Sequence, residues 1–158
     1  MPKLIRVEIP DSLTPDSYAL SENQTSIVAR LGYPDSFAIF FFDEELEEGF
    51  ETFRVESWSY HEAGREYVFV NGETISENIT ETEEFDFLPT PYKPEQFVEH
   101  MGFEELAAAT QQEEFLVVPI EKELVEGGEV YYAEELSFGM KNGELLYVEV
   151  LHLVTEEE

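Results

Sequence analysis

The sequence predicts an α+β fold of two tandem repeats, each a helical layer packed on an antiparallel β-sheet. Three observations lead there. A capped, Gly-stopped helical segment occurs early in each half of the chain. Short apolar runs bounded by turn residues follow it both times. Asn71-Gly72-Glu73 and Asn142-Gly143-Glu144, each the signature of a tight hairpin, stand 71 positions apart.

The elements follow in order. Residues 1–20 form an N-terminal extension with an edge strand over Leu4 to Ile9. The first repeat, 21–79, opens on Ser21-Glu22-Asn23-Gln24, a capping box in which Ser21 and Gln24 each satisfy a free backbone N–H. Ile27, Val28 and Leu31 share one helical face, and Gly32-Tyr33-Pro34 stops the helix. Phe37 to Asp43 (FAIFFFD) reads as a strand buried on both faces. Glu44, Glu45, Glu47 and Glu48, next to Gly49, read as a loop. Strands follow over Phe53–Tyr60, Arg65–Val70 and Glu73–Ile79. Residues 80–93, with Pro89 and Pro91, are a linker. In the second repeat, 94–154, Pro94 starts a helix on which Phe97, Val98 and Met101 repeat the spacing of Ile27, Val28 and Leu31. Gly102 matches Gly32, and the helix resumes from Phe103 to Gln111. Strands at Phe115–Glu121 and Val130–Met140, separated by Gly127-Gly128, precede a last strand at Leu145–Val154 and an acidic tail at 155–158.

Composition narrows the chemistry. With 37 acidic against 8 basic residues, net −29, the chain repels nucleic acid and anionic lipid, so no direct nucleic-acid partner is expected. Zero cysteines remove disulfides and thiol catalysis. No apolar run approaches the roughly 20 residues of a membrane helix. The start, MPKLIRVEIPDSL, lacks the apolar core of a signal peptide. His61, His100 and His152 lack metal-ligand spacing, and no G-x-S-x-G or phosphate-cradling Gly loop occurs. No cofactor, metal site or catalytic residue is therefore expected.

The aromatic residues are the candidate binding set. Alternation along Phe53–Tyr60 puts Arg54, Glu56, Trp58 and Tyr60 on one sheet face. The repeat adds Tyr131 to that face, and Tyr147 joins from the last strand. Aromatics with polar tips beside charges form the kind of surface that anchors a protein partner, which would leave this face partly exposed; the alternative is that Trp58 and Tyr60 pack beneath the helices as core.

The first repeat resembles a known pattern. Leu31-Gly32-x-Pro34, Trp58-x-Tyr60 and Asn71-Gly72 are similar to the helix–LG-x-P–strand–W-x-Y–strand–NG order of small bacterial outer-membrane-assembly lipoproteins. A tandem pair resembles the β-lactamase inhibitor protein family. The resemblance implies helices laid on an antiparallel sheet whose open face grips another protein. It also implies a bacterial, extracytoplasmic setting, in a mature form without its leader; the residues alone leave a cytoplasmic one open.

The expected function is a non-catalytic, inhibitor-like protein-binding module using the Trp58 face, with a protein partner of basic character. Two readings stay open beside it. One is an acidic nucleic-acid mimic that occupies a basic partner. The other is an enzyme with a carboxylate pair in the groove between repeats.

Overall fold

The apolar run at Phe37 becomes the centre of one continuous sheet. The structure, a computed structural model, describes residues 3–61, 63–79, 90–118, 129–133, 135–141 and 143–150. Its strands are β1 (Lys3–Arg6), β2 (Ser36–Leu46), β3 (Gly49–Tyr60), β4 (Arg65–Val70), β5 (Glu73–Ile79), β6 (Glu114–Val118), β7 (Glu129–Ala133), β8 (Leu136–Lys141) and β9 (Glu144–Val150). All pair antiparallel, in the order β1-β6-β7-β8-β9-β2-β3-β4-β5.

This corrects the α+β tandem-repeat expectation. Nine strands make a single sheet, because β9 hydrogen-bonds to β2 (Ala38↔Glu149 to Phe40↔Tyr147) and joins what were expected to be two. Among the described residues there are two α-helices, α1 (Glu22–Leu31) and α2 (Phe103–Thr110), and one 3-10 turn at Pro94–Gln96. No helix of the described residues is long and apolar enough to span a membrane.

The first helix forms as expected. The Ser21 hydroxyl accepts from the Gln24 N–H at 3.1 Å, Gln24 Oε1 accepts from the Ser21 N–H at 3.1 Å, and Gly32 ends the helix. The Asn71-Gly72 hairpin also forms, with positive φ at both residues. Only glycine fits at 72, since a Cβ there would lie 2.6 Å from Ser21 Cβ. The turn carbonyl of Gly72 accepts from the Ser21 hydroxyl at 2.7 Å, tying hairpin to helix.

The helix expected from Pro94 does not propagate. Phe97 is extended (φ −113°, ψ 124°) and His100, expected on a helix, takes a left-handed conformation. The Arg54 guanidinium occupies the Pro94 and Phe97 carbonyls, acceptors that a continuing helix would use. Phe97 is instead driven under the sheet, fully buried with its ring 6.0 Å from both Phe37 and Phe138.

Three strand expectations also change. Val130–Met140 is not one strand, because the chain reverses between Ala133 and Leu136. Glu44 and Glu45 belong to β2 rather than to a loop. FAIFFFD is buried on one face only: Phe37, Ile39 and Phe41 point inward, while Phe40 and Phe42 point out. The expected edge strand is β1, which does lie at the sheet edge. Residues 80–89 of the linker, Gly127-Gly128, Asn142, His152, the ends of the sixth and last expected strands, and the tail lie outside the described residues.

One face of the sheet carries the core. Ile27 of α1, Leu106 and Ala107 of α2, with Tyr92, Phe97 and Met101, cover Phe37, Ile39, Trp58, Phe69, Phe115, Phe138 and Val148. On the opposite face no element of the described residues is layered over the sheet.

Candidate functional site

Period-two alternation places Arg54, Glu56, Trp58 and Tyr60 together on β3, as expected, but their face is the covered one. Trp58 and Glu56 are 0% exposed, and Arg54, Tyr60 and Tyr131 are buried with them. The expectation of a partly open aromatic face is therefore corrected. A sheet with helices on one side buries its largest side chains there, and Trp58, on an interior strand, has the most apolar area to lose.

These residues form a polar cluster within the core, in which the buried Arg54 Nε alone has no hydrogen-bond partner among the described residues. Glu56 Oε1 accepts from Arg54 Nη2 and from Trp58 Nε1, each at 3.2 Å. Glu56 Oε2 accepts from the Gln24 side-chain amide at 2.6 Å. Arg54 Nη2 also donates to the Pro94 carbonyl at 2.7 Å, Nη1 donates to the Phe97 carbonyl, and the guanidinium lies 3.8 Å from the Tyr18 ring centroid. Burial, and after it the Glu56 charge, pushes the Tyr18 phenol above its ordinary value. Tyr60 donates to the Gly32 carbonyl at 2.8 Å, and burial holds its phenol neutral. Every carboxylate oxygen of Glu56 faces a donor of this chain, so the cluster ties β3 to α1, to the 3-10 turn and to the N-terminal segment. Tyr131 packs edge-on against Phe103 at 4.7 Å.

Tyr147 departs from the group. It sits on the opposite face, yet is itself buried, against Phe40 at 5.6 Å and over Gly139, where a Cβ would meet the ring at 2.1 Å. This uncovered face is the candidate site. Phe40 and Phe42 stack at 6.4 Å with their rings 18° apart, and they are 39% and 54% exposed. Val55 and Phe53 lie directly across from them on β3, half-buried. Tyr132 and Leu146 extend the apolar surface around Tyr147 and Val130, and Leu116 and Leu4 continue it to the far edge. Glu44, Glu51 and Glu149 border it.

A cavity of about 300 Å³ opens beside the hairpin, lined by Phe41, Asp43, Thr52, His100, Lys141 and Glu144 among others. Four of its polar groups pair with one another: Thr52 donates to Asp43 at 2.6 Å, and His100 meets Glu144 at 3.1 Å. No group of three metal-ligating side chains occurs among the described residues.

Sequence reasoning missed Gln24 as the partner of Glu56, and missed Phe40 and Phe42. The signal for the phenylalanines was present. Alternation continued through FAIFFFDEEL, rather than a break after Asp43, turns every second residue outward. No protein family matches the chain, nor does any curated protein or solved structure.

Proposed function

We propose that this protein is a non-catalytic protein-binding module whose docking surface is the uncovered sheet face centred on Phe40 and Phe42. The carrying observation is the stacked, half-exposed phenylalanine pair continuous with Tyr147 on a face that no other element overlies among the described residues. Large aromatics left in water forfeit burial free energy of about 1.5–3 kcal/mol each, and an interface recovers it. The acidic rim makes the surface selective for partners that bring positive charge.

A random peptide library displayed on phage tests the reading, with the wild-type chain and the Phe40→Asp, Phe42→Asp variant as baits. The expected result is a family of binders enriched on the wild type and lost on the variant, both baits having matching circular dichroism and melting temperatures. Binders enriched equally on both would overturn the assignment of this face. Binders that ignore the phenylalanines but vanish with moderate salt would favour the acidic nucleic-acid mimic instead.

A further inference from the structure

The β2–β3 hairpin is longer than the sheet that contains it. Its ladder runs from Ser36↔Ser59 to Leu46↔Gly49, yet β9 pairs with β2 only at Ala38, Ile39 and Phe40, and β4 pairs with β3 only from Val55 to Tyr60. Asn71 closes the base, donating its N–H to the Arg54 carbonyl at 2.8 Å and accepting the Arg54 N–H at 2.9 Å. Beyond it the hairpin is an arm with no paired strand on either flank among the described residues.

Such flanks are templates for another strand, and proteins usually blunt them with charged side chains, lysine above all, with proline or with a bulge. This arm has neither proline nor bulge, and its charges are all carboxylates, which repel an acidic strand and attract a basic one. No Lys or Arg occurs from residue 31 to 53, no Pro lies within β2 or β3, and the register is unbroken. A two-stranded ribbon is marginal by itself, so an added strand would complete it.

The side chains define which strand fits. Outward, the arm continues the apolar face through Phe42 and Leu46, the latter 46% exposed. Along both faces it presents Asp43, Glu44, Glu45, Glu47, Glu48 and Glu51, all exposed. Glu44 lies directly across from Glu51, a like-charge pair that a nearby cation would relieve. A second copy of this chain would set carboxylates against carboxylates, and nucleic acid or anionic lipid would meet the same repulsion.

We infer that the arm accepts an extended, lysine- or arginine-bearing segment of a partner protein, which adds as a strand along one flank with apolar side chains toward Phe42 and cations among the carboxylates. The inference rests on the binding reading above and adds to it the backbone geometry and charge of the occupant.

The intact chain is titrated by calorimetry with a synthetic peptide alternating valine and lysine, a valine–glutamate peptide, and a valine–lysine peptide N-methylated along one edge. Amide hydrogen exchange is followed in parallel. The first peptide should bind and slow exchange within residues 42–52, the second should not bind, and the third should bind roughly tenfold more weakly or worse. Neutralising Glu44, Glu45, Glu47 and Glu48 to Gln should weaken the first peptide by roughly tenfold, and neutralising Glu8, Asp11, Asp16 and Glu104 by less than about twofold. Equal losses in both variants, undiminished binding of the N-methylated peptide, no binding at all, or protection away from the arm would each overturn the inference. So would sedimentation showing a dimer that Phe42→Asp dissociates. If library binders still depend on Phe40 and Phe42 while the valine–lysine peptide fails, the open-face reading stands and the strand-accepting arm falls.

Discussion

Arg54 and Glu56 form an ion pair at 3.2 Å with both side chains almost wholly out of water. Desolvating two charges is expensive, and only the additional donors and acceptors around them offset it: Gln24, Trp58 and the carbonyls of Pro94 and Phe97. Removing one member leaves the others stranded. Glu56→Ala should therefore lower stability by about 3–5 kcal/mol in urea denaturation. Replacing both, Arg54→Met with Glu56→Leu, should be far less damaging than the sum of the single changes. A Glu56→Ala loss within about 0.5 kcal/mol, the range of ordinary surface changes, would show that the cluster is not structural.

Trp58 and Phe42 belong to one hairpin but to opposite faces, and their truncations should separate core from docking surface. Trp58→Ala leaves a cavity against Phe69, whose ring centre is 4.8 Å away, and should cost about 3–5 kcal/mol. Phe42→Ala removes a ring already half in water and should change stability by no more than about 0.5 kcal/mol. Its effect belongs in the peptide-binding measurement. A large stability loss at Phe42 would mean that the face is packed in solution.

Local signals in the sequence carried far, and face assignment did not. The Ser21–Gln24 capping box, the Gly32 stop and the Asn71-Gly72 turn rest on short-range hydrogen bonding and φ preferences, so neighbouring residues alone determine them. Alternation on β3 likewise sorted Arg54, Glu56, Trp58 and Tyr60 from Phe53, Val55, Ser57 and Ser59. Which set is covered depends on where the helices land, and that is a tertiary matter. The segment at Phe97 shows the same limit: its apolar spacing suits a helix, but the Arg54 guanidinium, 43 residues away in sequence, claims its carbonyl. The β9–β2 junction carries no local signature, since it pairs Ala38, Ile39 and Phe40 with Glu149, Val148 and Tyr147, residues far away in sequence.

His100 titrates against Glu144, its ring nitrogen 3.1 Å from the carboxylate and both side chains about half exposed. The hydrogen bond to Glu144 raises the imidazole above its ordinary value, outweighing the burial that lowers it. A group whose pKa is raised on folding contributes stability that is fully present below its unfolded value of about 6.5 and is lost as pH rises through the folded value. The contact joins the turn before α2 to the start of β9, so high pH should loosen that junction while leaving the global fold intact. Nuclear magnetic resonance titration of the ring should give a midpoint above that of an unstructured histidine, and Glu144→Gln should bring it down. A midpoint unmoved by the substitution would place the cause elsewhere.

The net charge of −29 opposes folding, and in the arm that repulsion is local, with Glu44 facing Glu51 across the ladder. Two tests follow from the same physics. Added salt shortens the Debye length to about 8 Å at physiological ionic strength, which screens exposed carboxylates from one another. The thermal midpoint should therefore rise between low and moderate salt. Glu44→Lys replaces a like-charge cross-strand pair with an opposite one and should add about 0.2–1 kcal/mol, since pairs directly across a ladder contribute on that scale. The variant should also gain less from salt than the wild type, because one repulsive contact no longer needs screening. A wild-type midpoint that stays flat or falls with salt would mean that the acids are compensated locally. A Glu44→Lys variant no more stable than the wild type, with an unchanged salt response, would mean that Glu44 and Glu51 splay apart in solution, and the arm would then not present the ordered carboxylate array that a basic strand requires.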